Sequence, residues 1–146
     1  GIFYTVSGIA CMILIFPAGW FSDKVGRLSV MAIGFAVSAI SMIGIAISFN
    51  LLVLLVSAVF LGASYAIFNP SSSARISDIS SLSRHGTIMG LYGVMEDLGV
   101  IFGPLLGGLI WEAVSPQATF LFVAAICIPG IIANYCLKYS SVSSSK

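Results

Sequence analysis

Two adjacent carboxylates, Glu96 and Asp97, lie inside the apolar run 87–112 and are the side chains best suited to chemistry. A carboxylate deep in a membrane costs several kcal/mol unless it is paired, protonated or wetted, so such residues are functional candidates by default. Neighbouring residues on a helix point about 100° apart, so these two cannot share one environment. We expect one of them to face a central cavity and to bind a proton or a cation. The alternative is a structural carboxylate paired with Arg75 or Arg84.

The composition indicates an all-α polytopic membrane protein rather than a soluble domain. Hydrophobic residues make up 59% of the 146 residues, charged residues 8%, and the mean hydropathy is +1.12. Five apolar runs are long enough to cross about 30 Å of hydrocarbon as helices, and they lack the alternation of barrel strands. The predicted helices cover about 2–18, 29–49, 51–80 (kinked at Pro70), 87–112 and 118–137, followed by a Ser-rich tail over 138–146. The alternative for the third helix is an end at Asn69, just before Pro70.

The positions of the six Lys and Arg residues predict the orientation. They lie in the segment 19–28, the region 75–86 and the tail 138–146, whereas the turn at Asn50 and the loop 113–117 contain none. Because Lys and Arg accumulate in cytoplasmic loops, we expect these three basic segments, and therefore the C-terminus, to face the cytoplasm. The expected location is the plasma (inner) membrane.

The segment 19–28 has the spacing G-x-x-x-D-K-x-G-R between two predicted helices. A short loop that reverses direction at the membrane surface needs Gly at its tight positions, and charged side chains there can pair with neighbouring helix ends. The alternative is an ordinary charged cytoplasmic loop. The residues of this loop motif are Gly19, Asp23, Lys24, Gly26 and Arg27.

The predicted fourth helix has the spacing G-x-x-x-G-P-x-x-G-G. So much Gly would weaken a helix in water, but in lipid it lets helix backbones approach closely. A Gly face beside a Pro kink would allow two helix bundles to touch and pivot, and the alternative is a generic dimerisation face. The residues of this glycine motif are Gly99, Gly103, Pro104, Gly107 and Gly108.

Together the two motifs resemble those of the major facilitator superfamily. Its signature loop, G-x-x-x-D-[RK]-x-G-[RK]-[RK], joins helices two and three, and a looser copy joins helices eight and nine. Leu28 stands where the signature loop has a second basic residue, which the looser copy allows. In the family's first half, the fourth helix usually carries an Arg four residues before a Gly, but here Ala58 lies four residues before Gly62. The resemblance therefore favours helices eight to twelve, and the alternative is the similar set of helices two to six. Because five helices cannot enclose a two-bundle pathway, and the chain starts with Gly1 rather than Met, we expect a fragment whose N-terminal helices are missing.

The resemblance implies a secondary active transporter that moves a small solute by alternating access, with the proton as driving ion and efflux of drugs or other solutes as the direction. Two alternatives stay open, an uncoupled facilitator or channel, and a non-transporting membrane protein that retained the fold. Besides the two carboxylates, the candidate cavity residues are Phe68, Asn69 and Tyr92.

The resemblance also implies a partner for the loop motif. The family often places an acidic residue at the cytoplasmic end of the corresponding helix, where Asp78 lies. We expect Arg27 or Lys24 to pair with Asp78 and to lock the inner gate. An exposed pair contributes only about 0–1 kcal/mol, so its role would be to bias states rather than to hold the fold.

Other functional classes lack support in the sequence. There is no Gly-Lys-Ser/Thr phosphate loop, so ATP-driven transport is not supported. His85 is the one histidine and no CxxC pair occurs, so no metal site is expected. No catalytic triad stands out, and we expect no enzyme activity, no cofactor and no nucleic-acid partner. The expected partners are the lipid bilayer, a small substrate and a proton.

Overall fold

The computed structural model describes residues 1–81 and 84–143. Over these residues the chain forms five helices and no strand. The helices are α1 (Ile2–Val25), α2 (Arg27–Ala46), α3 (Leu51–Ile79), α4 (His85–Ala113) and α5 (Pro116–Ser143). Each is long and apolar enough to cross a membrane, and a continuous helix satisfies its own backbone groups where no water is available. The predicted all-α membrane fold is therefore confirmed.

The helices do not pack equally tightly. α3 packs along both α1 and α2, and α2 also packs along α5. α4 touches α3 and α5 at few positions, and none of its described residues is buried. The site candidates on α4 therefore sit on the most loosely held helix of the described chain.

Small side chains fill the contacts of α2 and α3. Large apolar side chains are instead mostly exposed on the outside of the bundle, where lipid would surround them. Lipid tails are as apolar as Leu, so close packing through small residues is what holds such helices together. The buried Gly, Ala and Ser residues of these two helices are Ala32, Gly34, Ser41, Ser57, Ala58, Gly62, Ser64, Ala66, Ser71 and Ser72.

Two buried serine contacts set the register of α1 and α2 against α3. The Ser41 hydroxyl donates to the Ser57 carbonyl at 2.8 Å, and Ser71 Oγ lies 3.0 Å from Ser22 Oγ. Interhelical hydrogen bonds of this kind contribute about 0.6 kcal/mol each on average in membrane proteins. They orient the helices more than they stabilise them.

The first helix is longer than predicted. α1 continues through Pro17 and Gly19 to Val25, so most of the predicted loop 19–28 is helical. A proline removes one backbone hydrogen bond, whereas ending a helix inside lipid would expose several unpaired groups. The chain reverses at Gly26 alone, whose φ of 98° is a conformation that favours glycine.

The remaining helix ends shift by smaller amounts. Gly26 is both the C-cap of α1 and the N-cap of α2, so α2 starts at Arg27. The other end of α2 is Ala46 rather than near residue 49. α3 runs through Pro70 to Ile79 without ending at Asn69.

The last two helices extend beyond the predicted bounds. α4 begins at His85 and ends at Ala113 rather than covering 87–112. α5 begins at Pro116 because the Ser115 side chain caps it by accepting the Ala118 N–H at 3.1 Å. It continues to Ser143, so the described part of the predicted tail is helical, while residues 144–146, with Lys146, lie outside the described residues.

The closest approach of α1 to α3 yields a stability prediction. A Cβ at Gly62 would collide with the backbone carbonyl of Ser7, which cannot move without shifting α1. We expect Gly62→Ala to destabilise the protein by about 1–3 kcal/mol, measured as a lower midpoint of thermal unfolding in detergent. Gly8→Ala is the matched control, because a Cβ there meets nothing within 4 Å. Equal midpoints for the two variants would contradict the α1–α3 contact.

Candidate functional site

The candidate residues of α3 and α4 converge on one cavity of about 420 Å³, the α3–α4 cavity. On α4 the lining positions follow the spacing i, i+3, i+4, i+7, i+8, which places them on one face of that helix. Four predicted candidates, Phe68, Asn69, Tyr92 and Glu96, are thereby brought together. The lining residues are Tyr65, Phe68, Asn69, Tyr92, Met95, Glu96, Gly99 and Val100.

Two polar contacts cross the α3–α4 cavity. Asn69 Nδ2 lies 3.5 Å from Glu96 Oε1, at the outer limit of a hydrogen bond, and Ser72 Oγ lies 2.9 Å from the Tyr92 hydroxyl. Ser72 Oγ also donates to the Asn69 carbonyl at 3.0 Å. A serine has one hydroxyl hydrogen, so the Tyr92 hydroxyl donates to Ser72. The Asn69 amide nitrogen has two hydrogens, and within residues 1–81 and 84–143 its one side-chain partner is Glu96, so a second N–H is open to a ligand.

The two adjacent carboxylates have different surroundings. Glu96 is the one charged residue among those that line the α3–α4 cavity. Asp97 does not line it and forms no hydrogen bond or ion pair within residues 1–81 and 84–143. The alternative pairing of these carboxylates with Arg75 or Arg84 is wrong for the described residues, since neither arginine forms an ion pair there. The arginines lie near the helix ends, away from the middle of α4.

The charged residues of the loop motif meet at one end of the bundle. Arg27 Nε lies 2.7 Å from Asp78 Oδ2, and an Arg27 terminal nitrogen lies 3.5 Å from Asp23 Oδ1. Lys24 does not join them, because its ammonium lies 3.7 Å from the centre of the Trp20 ring. Of the two partners expected for Asp78, Arg27 makes the contact. Both its carboxylate partners are largely exposed, so the pair adds little to stability, and its gating role stays a prediction.

The glycine motif of α4 borders open space. A Cβ at Gly99, Gly103 or Gly108 would meet nothing within 4 Å, while at Gly107 it would touch the Thr119 methyl at 3.5 Å. Gly19 of the loop motif is likewise open and lies inside α1, so its expected role in a tight turn is wrong. Pro104 lies within α4, and the predicted role of this face in moving contacts stays a prediction.

Four lining or supporting residues are not predicted by the sequence, namely Tyr65, Ser72, Met95 and Val100. Ser72 holds Tyr92, and Tyr65 and Met95 complete the apolar wall. The sequence does contain a signal for two of these residues. Tyr65 lies four residues before Asn69, and Ser72 lies three residues after it. Such spacing places them on the same helix face.

The whole chain, residues 1–146, matches the sequence model of the Major Facilitator Superfamily. The chain belongs to this superfamily. The resemblance inferred from the two motifs is therefore confirmed, and so is the expectation of an integral membrane protein. The superfamily comprises transporters rather than enzymes.

Curated relatives agree with this assignment. The chain is 34% identical over 112 residues to the uncharacterized MFS-type transporter MJ1317 of Methanocaldococcus jannaschii, covering 77% of the chain and 28% of that protein. It is 33% identical to the MFS antiporter QDR3 of Candida albicans, with 77% of the chain and 17% of that protein covered. It is 28% identical to the quinolone resistance protein NorA of Staphylococcus aureus, with 99% of the chain and 37% of that protein covered. The chain thus spans well under half the length of each relative.

The unequal distances from Arg27 to its two carboxylates predict unequal coupling. In double-mutant cycles, Arg27→Gln and Asp78→Asn should show non-additive shifts in the thermal midpoint, corresponding to at most about 1 kcal/mol. The matched cycle with Asp23→Asn should be closer to additive, because that contact is 0.8 Å longer (3.5 against 2.7 Å) and its carboxylate is more exposed. A larger coupling to Asp23 than to Asp78 would contradict this geometry.

Proposed function

We propose that the protein containing this chain is a secondary active transporter that exports a small solute by alternating access. The observation that carries the proposal is the α3–α4 cavity, which sets one carboxylate, Glu96, beside amide and aromatic side chains within apolar helices. Intramembrane ionisable residues facing a cavity mark substrate or ion pathways. Membership of the superfamily supports the same activity.

Glu96 is the residue through which coupling would run. Its carboxylate can hold a proton or balance the charge of a cationic substrate, but it does not do both at once. Release of one would therefore accompany binding of the other, which is the requirement of antiport. The aromatic rings of Tyr65, Phe68 and Tyr92 would contact the apolar or cationic part of a solute. Similarity to an antiporter and to a quinolone resistance protein supports amphipathic, drug-like substrates.

Further helices of the same protein would complete the pathway. The chain matches only 17–37% of its relatives' lengths, and α4 has no buried residue. We propose that additional N-terminal helices cover the open face at Gly99, Gly103 and Gly108. That contact would join two helix bundles that rock around the cavity.

The positions of the basic residues support a proposed orientation. Arg27, Arg75 and Lys138 line one cavity at the same end of the bundle. By the positive-inside rule this end, and with it the C-terminus, would face the cytoplasm of a plasma membrane. The contact between Arg27 and Asp78 would then join the ends of α2 and α3 at the inner gate. It would favour the state in which these ends are together.

Exchanging the two adjacent carboxylates separately tests the proposal. In the full-length protein, Glu96→Gln should reduce proton-driven export of ethidium or a quinolone by about tenfold or more, equivalent to about 1.4 kcal/mol of lost interaction. Asp97→Asn is the matched control and should leave export within about twofold, because Asp97 does not line the cavity. Uptake into inverted vesicles under an imposed proton gradient provides the measurement.

Three results would contradict the proposal in different ways. Unchanged export by Glu96→Gln would exclude the assigned role of this carboxylate. Flux that persists after the proton gradient is collapsed would indicate an uncoupled facilitator. No flux of any amphipathic cation by the wild-type protein would indicate a membrane protein without transport activity.

A further inference from the structure

A second polar region lies outside the α3–α4 cavity, where the charged end of the bundle opens onto its outer surface. A cavity of about 370 Å³, the charged cavity, is lined by Asp23, Arg27, Arg75, Asp78 and Lys138, among others. Beside it a space of about 290 Å³, the α2–α5 groove, lies between α2 and α5. Leu28, Ser29 and Lys138 line both spaces, so the two lie next to each other.

The charged cavity contains two cations, Arg75 and Lys138, that no carboxylate of the described residues neutralises. Arg27 is held by both acidic residues of the cavity, Asp23 and Asp78. Arg75 and Lys138 form no ion pair within residues 1–81 and 84–143, although both line the same cavity. Three cationic residues against two acidic ones leave the cavity with a net positive charge. It is therefore suited to an anion.

The α2–α5 groove has the opposite character along most of its length. Its walls include Ala32, Ile33, Ala36 and Ile131, and polar side chains gather towards the end near Lys138. Small residues on α2 leave the groove its depth, because a larger side chain at Ala36 would fill it. The groove and the charged cavity together form one amphipathic site, with a cationic head compartment and an apolar channel.

We propose that this site binds an anionic phospholipid, with its phosphate near Arg75 and Lys138 and one acyl chain in the α2–α5 groove. The groove lies between two membrane-spanning helices, where acyl chains are the surrounding solvent. A free phosphate would use the cations but leave the groove empty, and a zwitterionic lipid would bring its own positive charge to them. The bound lipid would also contact residues beside the ion pair between Arg27 and Asp78. The negative charge of its phosphate would therefore affect that ion pair.

Counting bound lipids by native mass spectrometry tests this site. The detergent-purified full-length protein should retain dioleoylphosphatidylglycerol more strongly than dioleoylphosphatidylcholine, which has the same acyl chains. Arg75→Gln and Lys138→Gln should each reduce the affinity for dioleoylphosphatidylglycerol about fivefold, as expected for the loss of one basic residue beside an anionic lipid. Lys24→Gln is the matched control, because its ammonium stacks on Trp20 and it lines neither space.

A variant in the α2–α5 groove tests the acyl-chain half. Ala36→Phe should weaken the binding of phosphatidylglycerol, because the larger side chain would fill the α2–α5 groove. It should leave the thermal shift produced by inorganic phosphate unchanged. The cation variants change exposed or half-buried polar side chains, so they remain informative even if Ala36→Phe fails to fold. Three results would overturn the proposal. The first is equal retention of the two lipids, and the second is a loss of lipid binding in Lys24→Gln as large as in the two cation variants. The third is displacement of the lipid by inorganic phosphate at concentrations similar to those of the lipid. Export activity does not enter this test, so its outcome is independent of the transport proposal.

Discussion

The absence of water around the helices is the constraint on which this structure depends. Backbone groups in lipid must be satisfied within the chain, so the apolar runs form uninterrupted helices, even across Pro17, Pro70, Pro104 and Pro129. The hydrophobic effect that buries Leu and Phe in soluble proteins gives no reason to bury them here. Close contact is made through small residues instead, as at Gly62 against Ser7.

The same constraint gives the polar residues two distinct roles. Serines in the tight α1–α3 and α2–α3 contacts bond to neighbouring helices. Asn69, Tyr92 and Glu96 instead face each other across the loose contact between α3 and α4, where a cavity remains. Their polarity is costly in an apolar environment and has no comparable role in packing. Loose attachment of α4 therefore leaves the space in which we propose that a solute binds.

Much of this arrangement was predictable from the sequence, because hydrophobic length and charge position are local properties. Five spans followed from them, the superfamily followed from the two motifs, and the contact of Asp78 with a loop-motif cation followed from the resemblance to that family. Helix ends were less predictable, since Pro17 and Gly19 would end a helix in water but do not do so in this chain. The meeting of Asn69 with Glu96 depends on how α3 and α4 are rotated about their axes, which a single sequence does not specify.

The α2–α5 groove was missed for a related reason. Ala36 and Ile131 are far apart in sequence, and each looks like an ordinary lipid-facing or packing residue. Only the packing of α2 along α5 shows that they border a common space that ends at Lys138. The sequence places Lys138 in a Ser-rich tail, whereas in the structure α5 continues through it as helix.

The rotation of α4 is the central claim, because it decides which carboxylate faces the cavity. Single cysteines placed along α4, in a background where Cys11, Cys127 and Cys136 are replaced by serine, can be labelled with a membrane-impermeant maleimide. The structure predicts labelling at positions 92, 95 and 96, which line the α3–α4 cavity, and protection at 94, 98 and 105, which do not. Labelling that instead centres on position 97, or protection of every position, would contradict the account.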